Sequence, residues 1–222
     1  MMAAVCGTML WAGLALAQPF ETNFTFNVNA AVPDGTPLGL TLTTNLTVAG
    51  AISSVTVGLD ITGGYNGDLY AYLSGPNGGF AILLNRVGVS NNASAFGYGD
   101  SGFDVTLSDA AANSIQYYQN ITNTAGGMVL GTWQPEGVNI APQSSPSTFL
   151  TAGQTAMLTS FDGTDANGVW TLYLADLSTG GQSTVAGWSL DITTVPEPQT
   201  WVLAAVGLLA LAGIHRRRQL QG

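Results

Sequence analysis

Four aspartates stand where carboxylates could do chemistry. Asp60 and Asp68 flank a glycine-rich turn, and Asp100 and Asp176 follow at other predicted strand ends or beside glycine turns. Carboxylates and backbone carbonyls together are the hard oxygen ligands that calcium prefers. The sequence contains no EF-hand loop, however, and Asp side chains also hydrogen-bond the backbone of their own turns. Two interpretations therefore stay open: a structural calcium site, or aspartates that only shape turns.

The chain has few residues that could support nucleophilic catalysis. The chain has no lysine, one cysteine, Cys6, and one histidine, His215, and the last two lie near the chain ends. A Ser-His-Asp triad needs a histidine, and covalent catalysis by a thiol or an amine needs cysteine or lysine. A glycosidase would instead need two carboxyl groups about 5–10 Å apart across a cleft, a distance that sequence does not give. We expect a protein that is not an enzyme.

Exposed aromatic residues offer a different chemistry. In the segment that begins at Leu69, Tyr70 and Tyr72 alternate away from the apolar face of a predicted strand. Tyrosine rings stack on sugars, but tyrosine also suits a solvent-facing strand that binds nothing. These two residues are the candidate ligand-binding residues, with envelope polysaccharide as the candidate ligand.

The elements that must hold these side chains follow a period of two. Alternating apolar and polar residues, with turn residues between the runs, are typical of strands that bury one face. Many short strands of this kind predict an all-β fold, an antiparallel β-sandwich or jelly roll. The predicted inward faces are Val55, Val57, Leu59 and Ile61; Leu69, Ala71 and Leu73; Phe103, Val105 and Leu107; Trp170, Leu172 and Leu174; and Trp188, Leu190 and Ile192.

Three segments depart from this pattern. Residues 23–48 are rich in Asn and Thr and predict one or two edge strands. Residues 108–118 are the one place where a helical insert is expected, capped by Ser108 or Asp109. Residues 139–151 are the expected exposed loop.

The N-terminal residues 1–17 form an apolar run that ends in small residues. Ala15 and Ala17 occupy the positions that signal peptidase requires, so we expect a secretory signal cleaved after Ala17. Cleavage would also remove Cys6, which leaves a mature chain without disulfides or thiol chemistry.

The C-terminal residues 194–222 have three consecutive parts. A Pro-Glu-Pro motif precedes fourteen apolar residues, 201–214, which are fewer than the roughly 20 that span a bilayer comfortably. An arginine cluster follows, which the positive-inside rule would hold on the cytoplasmic side. This order closely resembles the PEP-CTERM sorting signal of Gram-negative bacteria, which implies recognition by an exosortase and transient anchoring in the inner membrane. The sorting residues are Pro196, Glu197 and Pro198, and the membrane-stop residues are Arg216, Arg217 and Arg218.

Charge excludes one class of partner. Between Glu21 and Asp191 the chain has twelve carboxylates and one basic residue, Arg86, so its net charge there is 1 − 12 = −11. Phosphate backbones repel such a surface, and we expect no nucleic-acid partner. Arg86 is expected to pair with a carboxylate.

Four motifs follow one another between residues 50 and 193. They are Gly67-Asp68-Leu69, the Ser-Gly-Pro-Asn-Gly segment 74–78, Leu-Ser-Asp-Ala-Ala at 107–111 and the closing segment 160–192. In this order they resemble the P domain, or P/Homo B domain, of subtilisin-like proprotein convertases. The resemblance implies a jelly roll that spans residues 18–193. No protease domain precedes these motifs in the chain, so endopeptidase activity would belong to a separate protein.

These features together predict an exported protein of the cell envelope or extracellular matrix. Signal peptidase and an exosortase are its expected partners during export, and a C-terminal hydrophobic helix its transient anchor. The domain between the two end segments is expected to be a non-catalytic binding or structural module. The alternative is an accessory domain that acts with a separate subtilisin-like serine endopeptidase.

Overall fold

The structure, a computed structural model, describes residues 18–92, 95–122, 124, 126–195, 207–213 and 216. One compact unit runs from Pro19 to Pro196 and contains the strands. Outside it, residues 207–213 are helical. No helix in the described part of the chain has the length and apolar character that a membrane crossing requires. The predicted features outside the described residues are the signal segment 1–17 with Cys6, Ala15 and Ala17, the motif Pro196-Glu197-Pro198, and His215, Arg217 and Arg218.

In the described residues of this unit, nine strands form two sheets. The five-stranded sheet has the order β1-β9-β3-β6-β7, and the four-stranded sheet has the order β2-β8-β4-β5. Neighbours are antiparallel except β6 and β7, which are parallel. The prediction of an all-β fold is confirmed, whereas the finer assignment to a jelly roll stays a prediction. The strands are β1 (Phe20–Ala31), β2 (Thr36–Leu46), β3 (Ala51–Gly63), β4 (Leu69–Ser74), β5 (Phe80–Asn85), β6 (Phe103–Leu107), β7 (Val129–Trp133), β8 (Gly168–Asp176) and β9 (Ser183–Val195).

One hydrophobic core receives side chains from both sheets. Val57 of β3 and Leu73 of β4 are fully buried, and so is Trp170 of β8. Every residue predicted to face inward is buried, because alternate side chains of a strand point to the same face. The prediction of edge strands in residues 23–48 is also confirmed, since β1 and β2 each end a sheet.

Helical structure is short and lies in the connections. The prediction of an exposed loop at 139–151 is wrong for its last part, where Pro146–Thr151 is helical. Ser145 caps this helix by accepting a hydrogen bond from the Thr148 N–H, Pro146 occupies its first turn and Phe149 is buried. The helices of this unit, in its described residues, are α1 (Val89–Asn92), α2 (Pro146–Thr151) and four 3₁₀ helices, Asn66–Asp68, Pro76–Gly78, Ile115–Asn120 and Leu158–Phe161.

The helical insert expected at 108–118 occurs late in that segment, with a different cap. Ser114, rather than Ser108 or Asp109, caps the 3₁₀ helix Ile115–Asn120. The Asp109 carboxylate instead accepts from the backbone N–H groups of Leu158 and Thr159, at 3.1 and 2.7 Å. Its partners lie about 50 residues further along the chain, beyond the reach of a local capping rule.

Glu136 is the most deeply buried acid of the connections. Its backbone N–H donates to the carbonyl of Leu83, which ties the loop after β7 to strand β5. The side chain is 2% exposed, its Oε2 has no hydrogen-bond partner, and burial raises the pKa of Glu136 to about 8. The carboxyl is therefore neutral in the folded protein at neutral pH.

This burial makes stability depend on pH. Because the folded-state pKa exceeds the ordinary value of 4.5, the folded chain holds a proton that the unfolded chain releases, and stability is lost as pH rises from about 4.5 to about 8. Glu136→Gln removes this titration. We expect the unfolding free energy of the variant to fall less steeply with pH across this window than that of the parent, by on the order of 1 kcal/mol per pH unit. Urea unfolding at several pH values measures the unfolding free energy, with the exposed Glu21→Gln as control. Parallel curves for parent and Glu136→Gln would contradict the assignment.

Candidate functional site

The two carboxylates of the glycine-rich stretch lie on different sheets. Asp60 is exposed on β3, where its direct neighbour across the strand pair is Asp104 of β6. Asp68 is 5% exposed and ends the 3₁₀ helix that leads into β4. The stretch therefore places one carboxylate on the five-stranded sheet and the other in the turn that leads into the four-stranded sheet, and these two residues do not act as a pair.

Asp68 is paired with the basic residue of the domain. The Arg86 guanidinium lies 3.7 Å from its carboxylate and also donates, through Nε, to the Gly67 carbonyl at 3.1 Å. Burial raises the pKa of Asp68, opposed by a hydrogen bond from Ser178 and by the charge of Arg86. Burial likewise lowers the pKa of Arg86. The expected pairing of Arg86 with a carboxylate is confirmed.

Asp176 lies at the end of β8, directly opposite Leu69, and is fully buried. Its Oδ1 accepts from the Ser178 N–H at 3.4 Å, while its Oδ2 has no hydrogen-bond partner. Burial, with the nearby charges of Asp68 and Asp34, raises the pKa of Asp176 to about 6. The fold thus brings two of the four predicted aspartates near each other and adds Asp34, which sequence reasoning did not single out.

Asp100 lies in the loop before β6 and is tied to its surroundings. Its carboxylate accepts from the Gln119 side chain at 2.7 Å and from the Gly126 N–H at 3.0 Å. Burial acts to raise the pKa of Asp100, but these bonds and those from Thr124 and Tyr118 outweigh it and lower the pKa. This is the behaviour of an aspartate that orders loops.

The described residues do not assemble a metal centre. Among them, no group of three or more His, Cys, Asp or Glu side chains is placed to hold one ion. Structural calcium at Asp60, Asp68, Asp100 and Asp176 therefore has no support from the geometry, and stays a prediction.

A cleft of about 340 Å³ opens beside Asp68. Its lining includes the exposed residues Tyr65 and Phe96 together with Ser178 and Asp68. The Asp68 carboxylate already interacts with Arg86 and Ser178, so a ligand there would have to replace those partners.

The predicted ligand-binding tyrosines belong to a larger aromatic cluster on the outer face of the four-stranded sheet. Tyr72 stacks on Tyr173 of β8, with ring centroids 4.8 Å apart and planes inclined by 18°. Tyr70 meets the same ring edge-on at 6.4 Å, and Phe80 of β5 lies 5.2 Å from Tyr72. We call these four residues the tyrosine cluster. Tyr173 lies between the inward residues Leu172 and Leu174, just as Tyr70 and Tyr72 alternate with inward residues of β4. This alternation is the sequence signal that could have identified Tyr173 as an outward residue.

Strand β2 fixes the centre of the tyrosine cluster. The Tyr173 hydroxyl donates a hydrogen bond to the Pro37 carbonyl. Gly39 lies beside this ring with a positive φ of 58°, and a Cβ there would come within 2.7 Å of the Tyr173 ring. Glycine therefore both adopts the left-handed backbone and leaves room for the ring.

Comparison with known proteins identifies the C-terminal segment. Residues 194–218 match the family described as the PEP-CTERM protein-sorting motif. The chain thus carries a signal for exosortase-dependent export to the envelope of Gram-negative bacteria. No curated protein matches the chain.

Two solved structures give a distant likeness. They are a serine protease of Aeromonas sobria, alone and in complex with the chaperone ORF2, with TM-scores of 0.46 and 0.47 and 17% identity. The matches cover 82% and 81% of this chain, which corresponds to 28% of the length of those chains. A likeness at this level leaves the family of the domain open.

The Asp60–Asp104 pair generates a prediction about stability. Like charges directly opposite in an antiparallel pair destabilise it, and salt screens exposed charges. We expect Asp60→Asn to raise the free energy of unfolding by about 0.2–1 kcal/mol at low salt, and by less at high salt. Denaturant unfolding measures the change, and Asp104→Asn should give the same gain. If calcium stabilises the parent and Asp60→Asn lowers stability, the pair binds a cation instead.

Proposed function

We propose that this chain is an exported cell-surface or extracellular-matrix protein with a non-catalytic, P/Homo B-like domain that binds neutral envelope polysaccharide. The sorting motif at residues 194–218 supports export. The observation that carries the binding function is the tyrosine cluster. The motif order between residues 50 and 193 supports the P/Homo B-like assignment.

Hydroxyl groups surround the aromatic rings. Thr41, Tyr173 and Tyr72 are direct neighbours across three strands, and Thr43, Thr171 and Ser74 form the next row. Apart from Asp176, which is buried, the strands of this sheet carry no charged residue. Stacking rings next to hydroxyl donors and acceptors suit the apolar faces and hydroxyl edges of sugars.

The rings are held before a ligand arrives. Mutual stacking and the bond from Tyr173 to Pro37 restrict them, so little conformational entropy is left to lose on binding. Burial raises the pKa values of Tyr70 and Tyr173, so both hydroxyls stay protonated at neutral pH. The Tyr173 hydroxyl donates to Pro37 and can only accept from a ligand.

The negative charge of the domain favours a neutral polysaccharide over an acidic one. The domain carries twelve carboxylates and one arginine, and an acidic polymer would be repelled by this field. A neutral polymer meets an uncharged sheet face without that penalty.

The alternative function is an accessory domain for a separate subtilisin-like serine endopeptidase. Its support is the resemblance of residues 50–193 to the P domain, whose family acts beside such proteases. A stoichiometric serine protease recovered with the chain from the native envelope would favour this function.

The tyrosine cluster is tested by pull-down on immobilised neutral polysaccharide extracted from the envelope of producing cells. We expect the double variant Tyr70→Ala/Tyr72→Ala to lose roughly tenfold or more in affinity, because each stacking ring contributes about 0.5–1.5 kcal/mol. The matched control is Tyr117→Ala, which removes an exposed tyrosine of the 3₁₀ helix Ile115–Asn120.

The control variant should bind as the parent does. Equal retention of the parent and the double variant would reject the tyrosine cluster as a binding site. Failure of the parent to bind any neutral fraction would reject the polysaccharide function as a whole.

A further inference from the structure

Strands β1 and β2 leave one side of each sheet open. Each is the first strand of its sheet, and in the described part of the chain no strand pairs with the outer edge of either. The edge of β1 is the longer, with 12 residues. An unpaired edge presents a row of backbone donors and acceptors that another strand can pair with.

The first eight residues of β1, Phe20–Asn27, lack the devices that usually block such pairing. Proteins protect edge strands with lysine, proline, inward charges or bulges. In β1 the one charged residue is Glu21, at its beginning, and there is no proline. A register shift between Asn27 and Ala30 interrupts its pairing with β9, so Phe20–Asn27 is an uninterrupted eight-residue edge.

Apolar side chains beside this edge are incompletely covered. All the partly buried hydrophobic residues that pack against the core belong to β1 and β2. Their exposed portions would be covered by a further strand on this side, which adds a hydrophobic contribution to the backbone hydrogen bonds. These residues are Phe24, Phe26, Val28, Leu40 and Leu42.

Charge and side-chain chemistry favour a second copy of this chain as the partner. Two copies, each with twelve carboxylates and one arginine, repel each other least where neither carries charge, and residues 22–33 carry none. Between Thr22 and Val28 the exposed side chains of β1 are Asn23, Thr25 and Asn27. The Asn23 amide already donates to Asp191 of β9, and the Thr25 hydroxyl donates to Asn23. Amides and hydroxyls both donate and accept, so the amide of Asn27, the second N–H of Asn23 and the free lone pairs of Thr25 can complement the same groups of an identical strand.

We propose that β1 pairs antiparallel with β1 of a second copy, so that the five-stranded sheets of two chains join into one continuous sheet. The pairing is isologous, because the same edge serves both copies. A two-fold axis at Phe24 places Glu21 of each copy opposite Asn27 of the other and so separates the two carboxylates. The tyrosine cluster lies on the other sheet and stays accessible in such a dimer.

Cross-linking tests the contact directly in the full chain, purified in a mild detergent with Cys6→Ser. The sequence then has no cysteine, so a single introduced one reports its own surroundings. We expect Thr25→Cys to give a covalent dimer with a short bis-maleimide. The control Thr132→Cys, on the opposite edge strand β7 of the same sheet, should stay monomeric. Cross-linking at Thr132 but not at Thr25 would overturn the proposal.

A charge variant tests whether the edge causes dimerisation. Thr25→Lys adds the residue that commonly blocks edges, and Thr132→Lys adds the same charge elsewhere. Sedimentation equilibrium should give a dimer for the parent and Thr132→Lys, and half that mass for Thr25→Lys. A monomeric parent would overturn the proposal, and so would a Thr25→Lys variant that stays dimeric. Circular dichroism verifies that each variant is folded.

Discussion

The pairing of β9 with both β3 and β1 is the constraint on which the rest of the structure depends. β9 pairs with β3 from Ser183 to Val195 and places Trp188 and Ile192 in the core. These strands are more than 100 residues apart in sequence, so the five-stranded sheet closes only after a long loop has been ordered. The match to the sorting motif begins at residue 194, where the last two residues of β9 still pair with β3. The end of the sheet and the beginning of the export signal are therefore one stretch of chain.

Scarcity of basic residues decides how the domain buries its acids. Arg86 compensates Asp68, and no second arginine or lysine exists between residues 18 and 195 to do the same elsewhere. Asp176 and Glu136 are instead buried with raised pKa values, of about 6 and about 8. A buried carboxyl without a cation is more stable when it holds its proton. At neutral pH only Glu136 is protonated, whereas Asp176 takes up its proton below about pH 6, so the burial of both acids couples stability to pH.

Much of the fold could be predicted because alternation is a local property. The inward faces of five strands, with Trp170 and Trp188 among them, follow from residue type and a period of two. The predictions failed where a distant partner decides the local structure. Helix α2 forms where its capping and burial of Phe149 outweigh a loop-like composition, and Asp109 serves a helix 50 residues away. For the candidate site, sequence placed Tyr70 and Tyr72 outside the core but did not join them to Tyr173 and Phe80.

The sequence by itself determined the all-β class, the face that five of the strands bury and the sorting signal at residues 194–218. These are properties of consecutive residues, and neighbours in the chain suffice to define them. Only the tertiary structure decided that Asp60 faces Asp104, that Asp68 binds Arg86 and that Tyr72 stacks on Tyr173. Such pairs depend on strand order and register, which are set by how the two sheets share one core rather than by any local pattern.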